Sequence, residues 1–444
     1  MSEAEQTTNT NTTAAESGGP VAFSPEALFF TVFGENAEGI GVTWTTPDDR
    51  GGWVEYTGAD DPEFLHSRRA EAEVSEGVGG FKNSAVLPAE GLPAPCLIRL
   101  ARGEERTEAS LFRPISEGAK NGGEVNFLVM SDTSDENYGD GRRWRPALEH
   151  AAENYPGAEF IVHAGDFVQL SGKRTEWANL TATNAEYLNR LPMIPAAGNH
   201  EYWKHWCGGY DATFYKHFTL SLPPQEALFG AYYSVNVGLV HITVLTSGES
   251  VAFGEERTLS PEQEDWMIAD LKAAETPWKI VVIHNPFYSP GNYGCGNDRV
   301  ARDLRRRYCD FFAEAKVDLV FTAHDHVCSR TYPMTGDGIA QRDVRMTGRG
   351  DDRTVYDPEG PVYIVCGVCG DQARLIHPEI RRDQLAHFEY ISSHREFEAA
   401  YFSVRADADR IEVINNVVRF KDGETVRKEK YSICKNPAQK PENQ

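Results

Sequence analysis

The sequence predicts two folded parts: a β-sandwich, then a larger domain of mixed α/β and α+β class in which helices flank two packed mixed β-sheets. Three observations carry this prediction. Residues 22–114 hold short runs rich in β-branched and aromatic residues, with turn residues between them and no helical period. From residue 125 onward, apolar runs alternate with stretches long enough for crossover helices. Residues 399–431 again have the pattern of strands alone.

The changes in pattern divide the chain of 444 residues into five segments. We expect a disordered leader over residues 1–21, where Thr, Ala and Glu dominate. A sandwich of the immunoglobulin or fibronectin type III kind should occupy residues 22–115, followed by a Gly-containing linker over residues 116–124. The larger domain is predicted over residues 125–434, with a disordered tail over residues 435–444.

Within the larger domain the pattern predicts four helices, one antiparallel strand pair and one long loop. The helices are expected over residues 143–154, 175–190, 261–274 and 298–315, and a capping box at Ser260 opens the third. The strand pair is expected over residues 232–237 and 239–245. Residues 335–358, rich in Gly, Asp and Arg, should form a long surface loop.

Polar side chains follow five apolar runs of this domain, each where the run ends. Ligands of open α/β sheets bind beyond the carboxyl ends of the strands, so we expect all five ends to meet at one rim of one sheet. The polar residues after the runs are Asp132, Asp166 after Gly165, Asn199 and His200 after Gly198, His284, and the pair His324 and His326. Carboxylate, amide and imidazole groups without thiolate suit hard or borderline metal ions.

Each of these residues also has a simpler structural interpretation. Asp166 can cap the next helix, Asn199 can be a turn residue with positive φ, and His284 can be a core histidine bonded to the backbone. His324 and His326 alternate by two, so in an extended segment both side chains point to one side, as a metal site requires. The metal site is favoured because all five strand ends carry such residues in order.

The composition limits the classes of partner. Lys+Arg 44 against Asp+Glu 67 gives a net charge of −23, which repels phosphate backbones at long range. We therefore expect no nucleic-acid surface, and any phosphate site must be made locally by metal. The sequence contains no run of 18 apolar residues, so no transmembrane helix is predicted, and no signal-peptide pattern is visible.

The eight cysteines are irregularly spaced in a chain long enough to build a core without disulfides. Cys366 and Cys369 form a lone CxxC pattern, and without a second pair we expect neither zinc binding nor redox use. Cys207 and Cys295 follow two of the strand-end motifs and are a candidate pair across the rim. The disulfide pairing stays open at this point.

The strand-end motifs resemble those of the calcineurin-like metallophosphoesterases, most closely the purple acid phosphatases. That family carries GDxG, GDxxY, GNH followed by Asp or Glu, VxxH and GHxH. The corresponding places here hold Asp132, Gly165-Asp166, Gly198-Asn199-His200-Glu201, Val281-Val-Ile-His284 and Ala323-His324-Asp325-His326. Residues 326–333 and 360–367 are also similar, and the predicted sandwich matches the family's first domain. The resemblance covers roughly residues 22–430 and implies a four-layer catalytic domain.

By position, the resemblance implies two divalent metal ions, of Fe, Zn, Mn or Mg, that share one carboxylate. One ion would be held by Asp132, Asp166 and His326, and the other by Asp166, Asn199, His284 and His324. A metal-bound hydroxide would attack phosphorus directly, with Asp166 as the bridging ligand. His200 would protonate the leaving group or stabilise the charge on phosphorus.

Two departures from the family pattern affect the first ion's site. Ser134 stands where the family has Gly and the wider superfamily has His, and Gln169 stands where the family has its iron-binding Tyr. The resemblance with these departures predicts a colourless enzyme with divalent metals and a first site that binds more weakly than the second. Ser134, Asp135, Tyr138 and Gln169 are candidates for extra metal or substrate contacts.

The resemblance implies a hydrolase of phosphoric ester bonds, acid-phosphatase-like, acting on monoesters of a phosphorylated small molecule. Two alternatives stay open: a phosphodiesterase or nucleotide phosphohydrolase on the same site, and a non-catalytic extracellular binding protein with a degenerate metal site. The resemblance favours a secreted, periplasmic or surface-anchored location. Substrate identity and oligomeric state are left open by the sequence.

Overall fold

A computed structural model gives the fold. It describes residues 23–135, 138–202, 214–223, 232–248, 257–294, 298–349, 351–370, 374–378, 380, 382–392 and 397–435. The predicted leader before residue 23, most of the predicted tail, and the candidate pair Cys207 and Cys295 lie outside these residues. In the part of the chain so described, no helix is long and apolar enough to cross a membrane.

The N-terminal region consists of nine strands in the described residues. They are β1 Glu26–Phe33, β2 Gly39–Thr46, β3 Trp53–Gly58, β4 Arg68–Glu71, β5 Glu73–Glu76, β6 Phe81–Pro88, β7 Cys96–Arg102, β8 Glu105–Arg106 and β9 Ser110–Phe112. Strands β1, β2, β6 and β5 pair in one sheet, and β4, β3, β7 and β8 pair in another, with β9 on β7. Phe30 and Trp44 from the first sheet pack against Val54 and Ile98 from the second. Alternating apolar residues thus close a sandwich, and its assignment to the fibronectin type III kind stays a prediction.

The larger domain contributes seventeen further strands among the described residues. They are β10 Val125–Met130, β11 Phe160–His163, β12 Met193–Pro195, β13 Tyr233–Val237, β14 Val240–Leu245, β15 Trp278–Ile283, β16 Leu319–Thr322, β17 Cys328–Thr331, β18 Met334–Thr335, β19 Ile339–Ala340, β20 Met346–Arg349, β21 Asp352–Tyr356, β22 Val362–Cys366, β23 Phe388–Ser392, β24 Glu398–Ala406, β25 Arg410–Arg419 and β26 Thr425–Cys434. These strands form two mixed sheets and the small hairpin β18–β19.

The first mixed sheet includes strands of the sandwich. Its order is β20-β21-β26-β25-β24-β10-β11-β12-β1-β2-β6-β5, and β1 pairs in parallel with β12 through Thr31 and Met193. The second mixed sheet has the order β13-β14-β15-β16-β22-β17-β23. One hydrogen-bonded sheet therefore runs from the sandwich through the larger domain, which fixes the orientation of β10, β11 and β12.

Seven α-helices lie among the described residues. They are α1 Glu117–Lys120, α2 Arg145–Asn154, α3 Arg174–Leu188, α4 Asn199–Tyr202, α5 Pro261–Ala273, α6 Arg299–Glu314 and α7 Arg382–Leu385. Short 3₁₀ turns lie at Phe214–Lys216 and Gly336–Gly338. The four predicted longer helices correspond to α2, α3, α5 and α6, which confirms those predictions to within two residues at each end.

The two mixed sheets pack face to face, and the longer helices cover their outer faces. In β15, Ile280 and Val282 pack in the core shared with β10, while Val281 and Ile283 pack on the outer side against α5 and α6. This alternation explains why the apolar run has no polar face, since both faces of the strand are buried. Helices α2 and α3 pack on the other sheet, which gives the four layers that were predicted.

The segment predicted as a long surface loop over residues 335–358 is different in the structure. Strands β20 and β21 pair in antiparallel register there, and β21 pairs in parallel with β26, so the hairpin extends the edge of the first mixed sheet. Val355 of β21 is fully buried. The Gly and Asp content suggested a loop, but pairing with the C-terminal strand is a long-range contact that local composition does not encode.

Candidate metal centre

The five strand ends with polar residues do meet, but at two sheets rather than at the rim of one. Strands β10, β11 and β12 are neighbours in the first mixed sheet and lead to Asp132, Asp166 and Asn199. Strands β15 and β16 are neighbours in the second and lead to His284 and His324. The single-sheet expectation was wrong because the hairpin β13–β14 starts a second sheet after β12. The ends still converge because the two sheets face each other.

The backbone is strained at four of the candidate ligands. Asp132, Asp166, His324 and His326 have φ values of 49°, 60°, 68° and 55°. Positive φ is unfavourable for residues other than glycine, and such residues concentrate where the surrounding structure holds them for a functional purpose. The tight turns after β10, β11 and β16 thus present these four side chains at the same edge.

Asp166, His284 and His324 form the most compact group of potential metal ligands. One donor atom from each lies within 4.8 Å of the others, and no other such group of three was found among the described His, Cys, Asp and Glu residues. The His284 Nε2 atom lies 3.1 Å from Asp166 Oδ2 and 3.1 Å from Asn199 Oδ1. The four residues that the resemblance implies for the second ion therefore lie together.

The other nitrogen of His284 is occupied by the backbone. His284 Nδ1 lies 2.8 Å from the carbonyl oxygen of Ala164, an acceptor, so Nδ1 carries the hydrogen. In the neutral ring the lone pair on Nε2 then points at the oxygens of Asp166 and Asn199. Facing oxygens and a nitrogen lone pair repel each other unless a proton or a cation lies between them. A hydrogen bond from the other ring nitrogen to a backbone carbonyl oxygen is the arrangement that orients histidine ligands in metal sites.

The pKa values of this group respond to burial and to the close charges. Burial disfavours the charged ring of His284, but the Asp166 carboxylate outweighs it and raises the pKa of His284 to about 9. Burial opposes ionisation of Asp166 as well, yet His284 and His200 lower the pKa of that carboxyl well below its usual range. Burial and the charge of His284 lower the pKa of His324. Asp166 is therefore ionised and His324 neutral, as ligands must be.

The residues implied for the first ion are also close, but they form a smaller set. Asp132 Oδ1 lies 3.2 Å from His326 Nε2 and accepts a hydrogen bond of 3.2 Å from the backbone N–H of His324. Asp132 Oδ2 is buried without a hydrogen-bond partner among the described residues. A buried carboxylate oxygen without a donor is costly unless a cation or water satisfies it, so Asp132 fits a cation.

His200 lies beside this group with one ring nitrogen tied to the backbone. Its Nδ1 is 2.9 Å from the carbonyl oxygen of Gln169, and its Nε2 is 3.8 Å from Asp166 Oδ2. Its backbone N–H donates to Asp166 Oδ1 over 2.9 Å. The ring therefore presents Nε2 toward the side of the site where Asp166 lies, with 15% of the side chain exposed.

The candidates for extra contacts around Asp132 differ in their burial and in their hydrogen-bond partners. Ser134 and Asp135 are buried, and the Ser134 N–H donates to the Asp166 carbonyl oxygen over 3.1 Å. Asp135 Oδ1 accepts from the Tyr138 N–H over 3.0 Å. The Tyr138 ring is 52% exposed and lies 4.3 Å from the Arg142 guanidinium, so the tyrosine side chain is turned toward Arg142. Gln169 contributes the carbonyl oxygen that holds His200.

Glu201, for which the sequence predicted no role, joins the loops that follow β11 and β12. Its buried carboxylate accepts the backbone N–H groups of Asp166 at 2.7 Å, Phe167 at 2.8 Å and Gly198 at 2.8 Å. Burial and the neighbouring Asp166 raise the pKa of Glu201 to about 7. The sequence signal that could have identified Glu201 is its position directly after Asn199-His200 in the motif. Gly198 itself must lack a side chain, since a Cβ there would overlap the Asp166 carboxylate.

The two cysteines of the CxxC pattern are core residues. Cys366 and Cys369 are buried and free, and burial raises the pKa of both thiols. They belong to no metal-binding group in the described part of the chain. A protonated, buried thiol is neither a ligand nor a nucleophile.

Comparisons with known proteins agree with this geometry. Residues 125–328 match the family model described as calcineurin-like phosphoesterase. A purple acid phosphatase of Glycine max is 28% identical over 224 residues, which are 49% of this chain and 42% of that protein. An acid phosphatase type 7 of Danio rerio is 24% identical over 432 residues, which are 89% of this chain and 87% of that protein.

The fold has a close structural counterpart. The structure of a purple acid phosphatase from yellow lupin (Lupinus luteus) seeds superposes with a TM-score of 0.70 at 16% identity, over 94% of this chain and 75% of that chain. This match confirms the predicted fold, a strand-rich N-terminal region before a metallophosphoesterase domain. Residues 125–328 are therefore a calcineurin-like phosphoesterase domain, of the phosphoric ester hydrolase class that the resemblance implied. The relatives of the chain include purple acid phosphatases.

Proposed function

We propose that the chain hydrolyses phosphate monoesters with two divalent metal ions bound at the meeting point of the strand ends. The observation that carries the proposal is the position of His284 Nε2, 3.1 Å from both Asp166 Oδ2 and Asn199 Oδ1, while Nδ1 is held by the carbonyl oxygen of Ala164. The buried Oδ2 atom of Asp132, which has no hydrogen-bond partner among the described residues, supports the site of the first ion.

The residues divide between the two ions in the way that the family motifs suggest. The first ion would be held by Asp132, Asp166 and His326, and the second by Asp166, Asn199, His284 and His324. When bound, the ions supply an activated water and neutralise charge on the phosphate. They are divalent in this proposal, because the family's iron-binding Tyr is Gln169 here and a neutral amide is a weak ligand for a trivalent ion.

His200 is proposed to hold the proton that the leaving group requires. Its Nδ1–H is committed to the Gln169 carbonyl oxygen, so Nε2 is the atom that faces the site. A protonated Nε2 can donate to the ester oxygen as the bond to phosphorus breaks, or bond an oxygen of the phosphate in the transition state. The backbone hydrogen bond fixes the ring plane before substrate arrives.

Asp166 is proposed as the shared ligand, and Glu201 keeps it in place. The backbone N–H of Asp166 bonds Glu201, and Asp166 Oδ1 accepts from the His200 N–H. Its Oδ2 lies toward His284. Two oxygens of one carboxylate with different neighbours are suited to bind two ions at once.

The preference for monoesters rests on the relatives, which bear the names purple acid phosphatase and acid phosphatase type 7. A phosphorylated small molecule is the proposed substrate, and a location outside the cytoplasm stays a prediction from the resemblance. A non-catalytic binding protein is disfavoured, because a binding surface has no need of a neutral His324, an ionised Asp166 and an oriented His200 in one place.

The test is hydrolysis by chelator-treated protein with Mn²⁺, Zn²⁺, Fe²⁺ or Mg²⁺ added back singly. p-Nitrophenyl phosphate and bis-p-nitrophenyl phosphate should be assayed in parallel. We expect no hydrolysis before metal addition and preferential hydrolysis of the monoester after it. Equal or better hydrolysis of the diester would replace the monoesterase with a phosphodiesterase, and no hydrolysis with any metal would contradict the proposed function.

A further inference from the structure

A corner beside His324 combines an arginine and a tyrosine that the hydrolytic reaction does not use. The ring centroids of Tyr293 and His324 lie 4.3 Å apart. The Arg374 guanidinium lies 5.2 Å from the centroid of the Tyr293 ring. Arg374 Nη1 donates to the backbone carbonyl oxygen of His324 over 3.1 Å. The three side chains therefore form one contiguous group that includes a proposed metal ligand.

The loop that carries Tyr293 is fixed by a buried carboxylate. Asp325 accepts the N–H groups of Asn292 at 2.9 Å and Tyr293 at 3.2 Å, and it also accepts a hydrogen bond from the Ser289 hydroxyl. The Asp325 side chain is fully buried. Tyr293, in contrast, keeps 37% of its surface exposed, so its ring is held in place by its backbone while facing solvent.

The Arg374 guanidinium has more N–H donors than hydrogen bonds to described residues. A guanidinium carries five N–H donors, and the one hydrogen bond of Arg374 to a described residue is that to the His324 carbonyl oxygen. No described carboxylate lies within ion-pair distance of it, although the chain carries a net charge of −23. In so acidic a protein, an arginine beside the site with no described carboxylate within ion-pair distance is a local place for an anion.

We propose that Arg374, positioned by Tyr293, binds a second anionic group on the leaving group of the substrate. The proposal rests on the proposed function, because it takes the scissile phosphate to bind at His324. The planar guanidinium favours a carboxylate or phosphate, which it can bind with two parallel hydrogen bonds. The preferred substrates would then be phosphate monoesters whose leaving group is itself negatively charged.

The test compares 3-carboxyphenyl and 4-carboxyphenyl phosphate with unsubstituted phenyl phosphate. Arg374→Gln should lower kcat/KM for at least one carboxylated ester by about 10- to 100-fold and change that for phenyl phosphate by less than about 3-fold. Arg374→Lys should recover part of the loss, since it restores charge without the planar fork. Arg69→Gln, an exposed arginine of β4 in the sandwich, is the matched control and should change neither.

A binding measurement separates this proposal from the proposed function. Calorimetry with 4-carboxybenzylphosphonate and benzylphosphonate, which cannot be hydrolysed, should show weaker binding of the carboxylated compound alone in Arg374→Gln. Equal losses for both compounds and both classes of ester would mean that Arg374 only supports the His324 loop, which overturns the proposal. If wild type hydrolyses none of the esters, the proposed function fails, and a carboxylate preference in binding would still show that Arg374 recognises anions.

Discussion

His284 Nδ1 lies 2.8 Å from the carbonyl oxygen of Ala164, and this contact decides which nitrogen of the ring can bind a ligand. Ala164 follows β11, in the first mixed sheet, whereas His284 follows β15, in the second. The hydrogen bond therefore joins the two sheets at the site and leaves His284 Nε2 facing Asp166. The same hydrogen bond thus couples the packing of the two sheets to the orientation of the proposed ligand His284.

Replacing His200 should impair the chemical step without releasing metal. His200→Ala removes the Nε2 donor, so kcat should fall by about 10²–10⁴-fold while bound metal stays constant. The measurement is kcat together with metal content of the same preparation. Loss of metal in parallel with activity would show that His200 is a ligand instead, and His66→Ala, an exposed histidine of the sandwich, provides the control.

Glu201→Gln should weaken the loops that carry the ligands. The carboxylate accepts three backbone N–H groups, and an amide offers one acceptor oxygen and two donors in their place. We expect the free energy of unfolding to fall by about 1–3 kcal/mol and the metal affinity to fall with it. Denaturant unfolding and metal titration of Glu201→Gln and of the exposed control Glu153→Gln measure both. Unchanged metal affinity would show that Glu201 does not position Asp166.

The motif residues could be predicted from the sequence because each ligand directly follows a strand, and strand ends are local features. Asp166 and His284 come together in the structure for that reason. The motif contains Glu201, but its hydrogen bonds could not be predicted, since its partners are backbone N–H groups of two separate loops. The division of the five strand ends between the two sheets and the pairing of β21 with β26 were missed for a similar reason. Both depend on which distant strand pairs with which, and strand composition alone does not specify that.

Acid should destabilise the protein through His217, a buried histidine that is not one of the proposed metal ligands. Its ring is buried and stacks on Trp177 at 3.8 Å. Burial, and after it the charges of Lys82 and Lys216, lower the pKa of His217 from 6.5 to about 3. Between these two values the unfolded chain binds more protons than the folded one. The free energy of unfolding should therefore fall by about 1.4 kcal/mol for each pH unit below 6.5.

His217→Phe keeps an aromatic ring on Trp177 and removes the titrating group. Denaturant unfolding of both proteins should be measured at pH 5 and pH 7.5. The free energy of unfolding of the variant, minus that of wild type, should be more positive at pH 5 than at pH 7.5. The same difference between variant and wild type at both pH values would exclude His217 as a source of acid sensitivity.

The first ion should bind more weakly than the second, and the iron-loaded protein should be colourless. The close group of three ligands belongs to the second site, and Tyr138, which could replace the missing tyrosine ligand, is turned toward Arg142. Stepwise metal titration should show two affinities, with the weaker site refilled by Mn²⁺ or Mg²⁺. A visible charge-transfer band, lost in Tyr138→Phe, or two equal affinities would contradict this prediction.

The metal content and phosphatase activity of Asp166→Asn test the central claim most directly. Asp166 is the proposed ligand of both ions, so its loss should lower the metal affinity of both sites. The loss of a hydrogen-bond partner of a ligand lowers metal affinity by about 10–100-fold, and the loss of a shared ligand should lower it further. Hydrolysis of p-nitrophenyl phosphate should be lost with it, while the exposed control Asp422→Asn keeps wild-type metal content and activity. A folded Asp166→Asn protein that retains both ions and most of its activity would contradict the account.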